Sequence, residues 1–169
     1  MILLRYNDFS TGGELFLKFY DYPIISKESS LPVFLVSVGL NEWQYHVKCD
    51  KGDNYAKALY CTKGSGVLIM NGEKHIIKPY TAFFIPASCP HEYYSTDESW
   101  DTHWIKPSGK SCPDMLKALG FDKPKISPLP KEEITYLDHC FRCMHEALLS
   151  DKVDGNSERQ AICTAFSLN

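Results

Sequence analysis

The chain has 169 residues, of which 44% are hydrophobic, so it is long enough for one domain with its own core. Its formal net charge is −3, and its basic residues are scattered singly, whereas a module that holds DNA by its phosphates usually carries a basic patch. We therefore do not expect this piece to bind nucleic acid by itself. No stretch approaches the roughly 20 apolar residues that span a bilayer, and the first residues lack the features of a secretory signal.

Cysteine usage indicates a reducing compartment. The seven cysteines are an odd number and are spread singly along the chain, which is typical of free thiols packed as small apolar groups. We therefore expect a cytoplasmic protein.

Residues 1–108 predict a succession of short strands. Turn signals separate runs rich in Val, Ile, Tyr and Phe, and the strongest is Asn71-Gly72, because both residues tolerate the positive φ of a tight hairpin turn. The expected strands are Phe34–Val38, Trp43–Cys49, Tyr55–Thr62, Gly66–Met70, Glu73–Ile77, Ala82–Ile85, His91–Ser95 and Thr102–Ile105. Many short strands at close, even spacing predict a sandwich or a barrel.

Residues 109–169 predict helices. A short helix begins at Cys112 and is stopped by Gly120, and Ser127–Pro130 reads as a rigid connector. A long helix is expected over Lys131–Ser150, with two acidic residues in its first turn, where the helix dipole favours them. A last helix begins at Ser157 and lacks a stop signal, so we expect the chain to be cut at a truncated boundary.

The long helix carries a narrow apolar seam. Its apolar residues are spaced alternately by three and four: Ile134, Leu137, Phe141, Met144 and Leu148. Such a seam packs either against the edge of the barrel or against a second copy of the helix. Its narrowness is typical of helix-to-helix contact, which favours a dimer interface.

One ordered set of motifs runs over residues 55–109. It consists of Gly64-Ser65-Gly66, the Asn71-Gly72 hairpin, the run Phe83–Pro86, the segment Pro90–Tyr93, Trp100 and the pair Trp104-Ile105. In this order, with helices behind it, the set resembles the N-terminal domain of the AraC/XylS family of bacterial transcription regulators.

That resemblance implies a fold that is mainly β with C-terminal helices, a cupin-like double-stranded β-helix followed by an α-helical hairpin. It implies that the barrel binds a small effector, suspected to be a saccharide, under an N-terminal arm of about residues 1–30. It also implies that the helical hairpin forms a homodimer. DNA binding would belong to a C-terminal helix-turn-helix half, whose pattern is absent from residues 1–169.

The resemblance also implies positions for effector-binding residues. The family's pocket tyrosine and pocket tryptophan fall on Tyr93 and Trp104. Two further positions depart from the family: Thr102 stands where a pocket histidine is expected, and Cys49 stands where the arabinose-responsive member has an arginine. These departures argue against arabinose but leave another saccharide open.

Strand alternation gives an independent set of inward-facing residues in the last two strands. If Trp104 faces the interior, then Thr102 does too and His103 faces out. If Tyr93 faces the interior, His91 shares its face. The aromatic residues could equally be plain core, and His91 could hold a neighbouring loop.

One face of the strand expected at Trp43–Cys49 is more apolar than the other. That face carries Trp43, Tyr45 and Cys49, so we expect these residues to point into the barrel as part of the effector site. Core packing is the alternative for both aromatic residues.

A metal-dependent cupin enzyme, such as an isomerase or a dioxygenase, is the rival interpretation. Such enzymes use two histidines separated by one residue, a nearby glutamate and a later histidine. Here His91 could be the later ligand, but the chain has no His-x-His, and His46 and His75 stand alone. We therefore expect neither an enzyme nor a cofactor.

A second metal hypothesis concerns the long helix. Cys140 and Cys143 lie one turn apart on it, flanked by His139 and His145. This group could bind zinc or respond to redox changes, but small buried residues beside an apolar seam are the commoner explanation.

Overall fold

The structure is a computed structural model that describes residues 19–21 and 27–154. Its strands are β1 (Phe19–Asp21), β2 (Phe34–Trp43), β3 (Val47–Cys49), β4 (Lys57–Met70), β5 (Glu73–Ile77), β6 (Thr81–Ile85), β7 (His91–Ser108) and β8 (Lys125–Pro128). Its helices are α1 (Cys112–Ala118) and α2 (Lys131–Asp154), with a 3-10 turn at Lys27–Ser30. The helix expected from Ser157 and most of the expected N-terminal arm lie outside the described residues.

Two long antiparallel strands, β4 and β7, organise the barrel. They pair from Ala58 opposite Ile105 to Met70 opposite His91. Around one half of this pair the sheet order is β1-β2-β7-β4-β6-β8, and around the other half β3 joins β7 and β5 joins β4. Both long strands therefore take different partners along their two halves within one eight-stranded sheet. The expected cupin-like fold, mainly β with C-terminal helices, is confirmed.

Glycines lie at the bulges where β4 changes its register against β7. The register against β7 shifts between Cys61 and Lys63 and again between Gly64 and Gly66, which marks β-bulges. Gly64 has a φ of +72°, and a Cβ at Gly66 would come within 2.4 Å of the Trp100 ring. The expectation that this glycine segment ends a strand was wrong, because the bulges keep the strand continuous.

The local hairpin prediction is confirmed, and one prediction on the C-terminal side is wrong. Asn71 and Gly72 have φ values of 51° and 80°, and β5 has the predicted bounds. Residues 109–169 were expected to hold only helices, but β8 pairs with β6 from Thr81 opposite Pro128 to Phe84 opposite Lys125. The prolines that suggested a connector are tolerated because the strand lies at the sheet edge.

Helix α2 covers the outer face of the barrel. Its Phe141 and Met144 are each 5% exposed and pack with barrel residues such as Leu35, Val38 and Ile105. These seam residues therefore cover the barrel's own surface, the alternative that the sequence analysis favoured less. Of the two helices in the described part, neither is both long and apolar enough to cross a bilayer.

Candidate ligand-binding site

The barrel contains a partly open cavity of about 330 Å³. This volume is at the small end of the range of about 300–1,000 Å³ seen for small-molecule sites. Residues from β3, β4, β7 and the segments before β3 and β4 line it: Gln44, Tyr45, His46, Val47, Lys48, Cys49, Asp53, Lys57, Leu59, Tyr93, Trp104 and Lys106.

One wall of the cavity is apolar and aromatic. Leu59 and Tyr93, both buried, lie beside the partly buried Trp104 in the inner core cluster. The indole of Trp104 lies directly over Gly39 of β2, where a Cβ would come within 2.5 Å of the ring. A side chain at position 39 would therefore displace the indole, so the missing methyl group at Gly39 sets the shape of this wall.

Another side of the same cavity is charged, and three residues form it: Asp53, Lys57 and Lys106. Nζ of Lys57 lies 3.1 Å from Oδ2 of Asp53, and Nζ of Lys106 lies 3.0 Å from the same oxygen. Burial alone would raise the pKa of Asp53, but hydrogen bonds from Lys106 and Lys57 outweigh it and lower that pKa to about 2. One carboxylate oxygen of Asp53 thus accepts from two ammonium groups.

The buried ammonium of Lys57 is also held by His91. Nδ1 of His91 lies 2.7 Å from the carbonyl oxygen of Cys89, and its Nε2 lies 3.0 Å from Nζ of Lys57. A carbonyl can only accept, so Nδ1 carries the proton and Nε2 accepts from the ammonium. Burial lowers the pKa of His91, and the Lys57 charge adds to that effect, which is consistent with a neutral ring.

Exposed charged groups surround the mouth of the cavity. Oε1 of Glu92 lies 2.8 Å from Nε2 of His46, and its other oxygen lies 3.6 Å from Nζ of Lys48. Hydrogen bonding to His46 lowers the pKa of Glu92, with a smaller contribution from Lys48. The cation at Lys48 therefore already has a carboxylate beside it.

Four of the residues expected from the sequence line the cavity. Tyr93 and Trp104 lie in its aromatic wall, and Cys49 lies where β3 borders it. Tyr45 is 61% exposed and contributes only to the mouth, so the expectation that its side chain points into the barrel was wrong.

Trp43 does not line the cavity, and the expectation that its side chain points into the barrel was wrong. It is 56% exposed, whereas its neighbour Gln44 is 4% exposed and lines the cavity. The register of β2 against β7 shifts between Gly39 and Glu42, and the strand ends at Trp43. Because residues 44–46 separate β2 from β3, Trp43 and Cys49 do not share one alternating strand, and the side chain of Trp43 points outward.

Thr102 and His91 lie behind the cavity wall. The Thr102 hydroxyl is fully buried and donates to Oε1 of Gln44 at 2.7 Å, while Nε2 of Gln44 donates to the Tyr45 carbonyl at 2.8 Å. Thr102 therefore orients an amide that lines the cavity, as His91 orients Lys57.

Sequence reasoning missed the charged residues Asp53, Lys57 and Lys106. A signal for one of them was present: Lys57, Leu59 and Cys61 alternate along one strand, so they share the inward face. The acid and the second lysine come from distant segments, and no local pattern brings them to Lys57.

The residue expected to face outward, His103, is buried beneath α2. Its Nδ1 lies 2.9 Å from Oδ1 of Asp138, and the Tyr60 hydroxyl donates to the same oxygen at 2.7 Å. Hydrogen bonds from His103 and Tyr60 lower the pKa of Asp138 although its burial opposes this. A polar cluster therefore joins the barrel to the helix.

Metal-ligating groups are sparse in the part of the chain that the structure describes. Among residues 19–21 and 27–154, no three His, Cys, Asp or Glu side chains lie together as a set of ligands. On α2, Sγ of the exposed Cys143 lies 3.6 Å from Nε2 of His139, while Cys140 is half-buried.

Comparison with known proteins confirms the resemblance seen in the sequence. The family model for the AraC-like ligand binding domain matches residues 52–166. A search of curated proteins gave no match.

Solved structures that match part of this chain include a dioxygenase, a cupin barrel protein and ToxT. Salicylate 1,2-dioxygenase from Pseudoaminobacter salicylatoxidans, in a mutant form, is 14% identical over 57% of this chain and 26% of its own, with a TM-score of 0.36. A cupin 2 conserved barrel protein from Leptotrichia buccalis is 17% identical over 52% of this chain and 45% of its own, with a TM-score of 0.36. ToxT from Vibrio cholerae is 13% identical over 63% of this chain and 45% of its own, with a TM-score of 0.44. This chain thus spans less than half the length of each.

Proposed function

The chain belongs to the family of AraC-like ligand binding domains, and we propose that it senses a saccharide or a similar small polar metabolite for a bacterial transcription regulator. The effector occupies the barrel cavity, and DNA binding resides in a helix-turn-helix half outside these 169 residues. In this proposal the domain is a sensor and carries out no reaction of its own.

The observation that carries this proposal is the pairing of an aromatic wall with fixed polar groups in one cavity. Saccharides are held by stacking of their C–H groups on an aromatic face while a few polar groups bind the hydroxyls. Trp104 supplies the face, and Gln44, held in orientation by Thr102, supplies an amide. Tyr93 and Lys57 add a hydroxyl and an ammonium to the same lining.

In this proposal, effector binding in the cavity affects α2 through the polar cluster of Tyr60, His103 and Asp138. Leu59 lines the cavity, and the next residue on β4, Tyr60, points the other way and donates to Asp138 of the helix. Ligand binding shifts the balance between two arrangements of helix and barrel only to the extent that the effector prefers one of them. In this scheme, by analogy with the family, the N-terminal arm, about residues 1–30, either orders over the cavity mouth or changes its contacts when the effector binds.

Homodimerisation is part of the proposal, through a different stripe of α2 from the one expected. The stripe of Tyr136, Cys140, Cys143 and Ala147 has the three-and-four spacing of a helix-to-helix seam. Tyr136 is 55% exposed, whereas Phe141 of the expected seam is buried against the barrel. Two copies of α2 packed along this stripe would bury the tyrosine.

A thermal-shift screen of the purified chain tests the proposed function. The ligands are mono- and oligosaccharides and divalent metal ions, and bound metal is assayed in the purified protein. A ligand of the folded state stabilises it by about 2.7 kcal/mol at a hundredfold excess over Kd. Stabilisation by a saccharide in metal-free protein supports the sensor, whereas stoichiometric metal, or stabilisation by metal alone, supports the cupin enzyme instead.

A further inference from the structure

We propose that the effector carries a carboxylate group, which binds between Lys57 and Lys106 at the charged side of the cavity. This inference rests on the proposed function, because it takes the cavity as the effector site. It narrows the ligand class from polar metabolites to organic acids, and among saccharides to sugar acids.

The residues that line the cavity carry more positive than negative charge. Lys57 and Lys106 share the single carboxylate of Asp53, at 3.1 and 3.0 Å, which leaves one positive charge in excess. The remaining lining cation, Lys48, has Glu92 beside it at the mouth. One singly charged anion would therefore neutralise the cavity, and a carboxylate has that charge.

The side chain of Lys57 is buried, which makes its positive charge costly. Only 3% of this residue is exposed, and an ammonium group removed from water to this degree is stable only when its surroundings compensate it. Burial lowers its pKa, the charge of Lys106 lowers it further, and Asp53 opposes both. A bound anion would act in the same direction as Asp53, so ligand binding would relieve an unfavourable charge.

The Lys57 ammonium has more hydrogen-bond donors than the acceptors around it use. The Lys57 ammonium has three N–H groups. Within the part of the chain that the structure describes, Asp53 and His91 accept two of them. His91 is fixed as an acceptor by its bond to the Cys89 carbonyl, so it cannot balance the charge. Nζ also lies 5.9 Å from the centroid of the Tyr93 ring, so among the described residues its third N–H has an aromatic face but no charged acceptor beside the cavity.

A neutral polar ligand does not need this arrangement. A hydroxyl group would be bound well by the amide of Gln44 without two lysines. A phosphate monoester, with a charge near −2, would exceed the charge that the cavity leaves unbalanced. The combination of an indole face at Trp104 with the two ammonium groups therefore fits a small acid with a stacking surface.

The test compares acids with their neutral counterparts on the purified chain. The probes are galacturonate and gluconate against galactose and glucose, benzoate against benzamide, and galactose 6-phosphate for the phosphate alternative. Affinity is measured by calorimetric titration on the wild type, on Lys106→Met and on Lys63→Met. Lys63 is an exposed lysine on β4, the strand that carries Lys57, so its variant removes the same charge outside the cavity.

We expect at least one acid to bind tenfold or more tightly than its neutral counterpart. Lys106→Met should weaken that acid at least tenfold and leave the neutral compound unchanged, while Lys63→Met should change neither. Equal affinity for acid and neutral compound, tighter binding of the phosphate, or equal weakening of both classes by Lys106→Met overturns the carboxylate assignment. If only neutral saccharides bind, the carboxylate fails and the sensor function stands. If no acid binds, the inference is wrong.

Discussion

The carboxylate of Asp138 on α2 lies 2.9 Å from Nδ1 of His103 on β7. His103 is 1% exposed, and the Tyr60 hydroxyl, also buried, donates to the same carboxylate oxygen. Two strands of the barrel thus share one acceptor on the helix. Because polar groups buried without partners are costly, this acceptor fixes where the helix sits on the barrel.

Replacing Asp138 with Ala should lower the free energy of unfolding by about 1–3 kcal/mol, since the buried Tyr60 and His103 lose their shared acceptor but keep each other as partners, with Nδ1 of His103 2.8 Å from the Tyr60 hydroxyl. Urea denaturation measures the change. Glu146→Ala, on an exposed position of the same helix, should stay within about 0.5 kcal/mol of the wild type. Equal stability of the two variants would show that the cluster does not hold the helix.

Trp104→Ala should abolish effector binding, because it removes the aromatic face of the cavity. Trp43→Ala is the matched control: it removes the same side chain from an exposed position outside the cavity, and binding should persist. The measurement is titration with whichever ligand stabilises the wild type, below the melting temperature of each variant. Binding that survives in Trp104→Ala contradicts the assignment of the pocket.

Acid should weaken the fold through Asp53. Its pKa is about 2 in the folded protein against an ordinary 3.8, so its stabilisation is present above about pH 5 and is lost as the pH falls toward 2. The contribution is about 1–2 kcal/mol, reduced because the side chain is 21% exposed. The stability difference between wild type and Asp53→Asn, from urea denaturation at pH 7 and pH 3, should therefore shrink at the lower pH. A constant difference would mean that the two lysines do not stabilise this carboxylate.

Tyr136→Lys should separate a dimer into monomers without unfolding the chain. The side chain is 55% exposed in one copy, so a lysine there costs little within a monomer but places like charges together in a paired helix. Sedimentation velocity at several concentrations gives the oligomeric state. A wild type that stays monomeric would contradict dimerisation by this fragment, and a dimeric variant would move the interface elsewhere.

Features set by neighbouring residues could be predicted from the sequence. The Asn71-Gly72 turn and the bounds of β5 follow from local backbone preference, and the helix that begins at Cys112 ends before Gly120, which has a φ of +76°. The division of the strands was less predictable. β4 continues through a segment that resembles a turn because its glycine bulges bend the strand without ending it, and β7 continues through the non-glycine residues 96–99, where its register against β4 shifts.

In the candidate site, too, some residues could be predicted from the sequence and others could not. Tyr93 and Trp104 could be placed in the cavity because the family pattern identifies both positions. Trp43 was misplaced because β2 ends there and β3 begins only at Val47, so the alternation counted from Trp43 does not continue to Cys49. The lysine pair on Asp53 was missed because its partners come from β4, β7 and the segment before β4, and only the fold brings them together.

Strand β4 carries Lys57 at the cavity and Tyr60 at the helix, three residues apart. If binding at the first position changes the free energy of the contact at the second, the reverse must hold with the same magnitude. A DNA operator that favours one position of α2 in the complete regulator would then raise or lower effector affinity by the factor with which the effector alters DNA binding. In the proposed regulator, reciprocity would make the promoter itself a modulator of the metabolite concentration that the sensor needs.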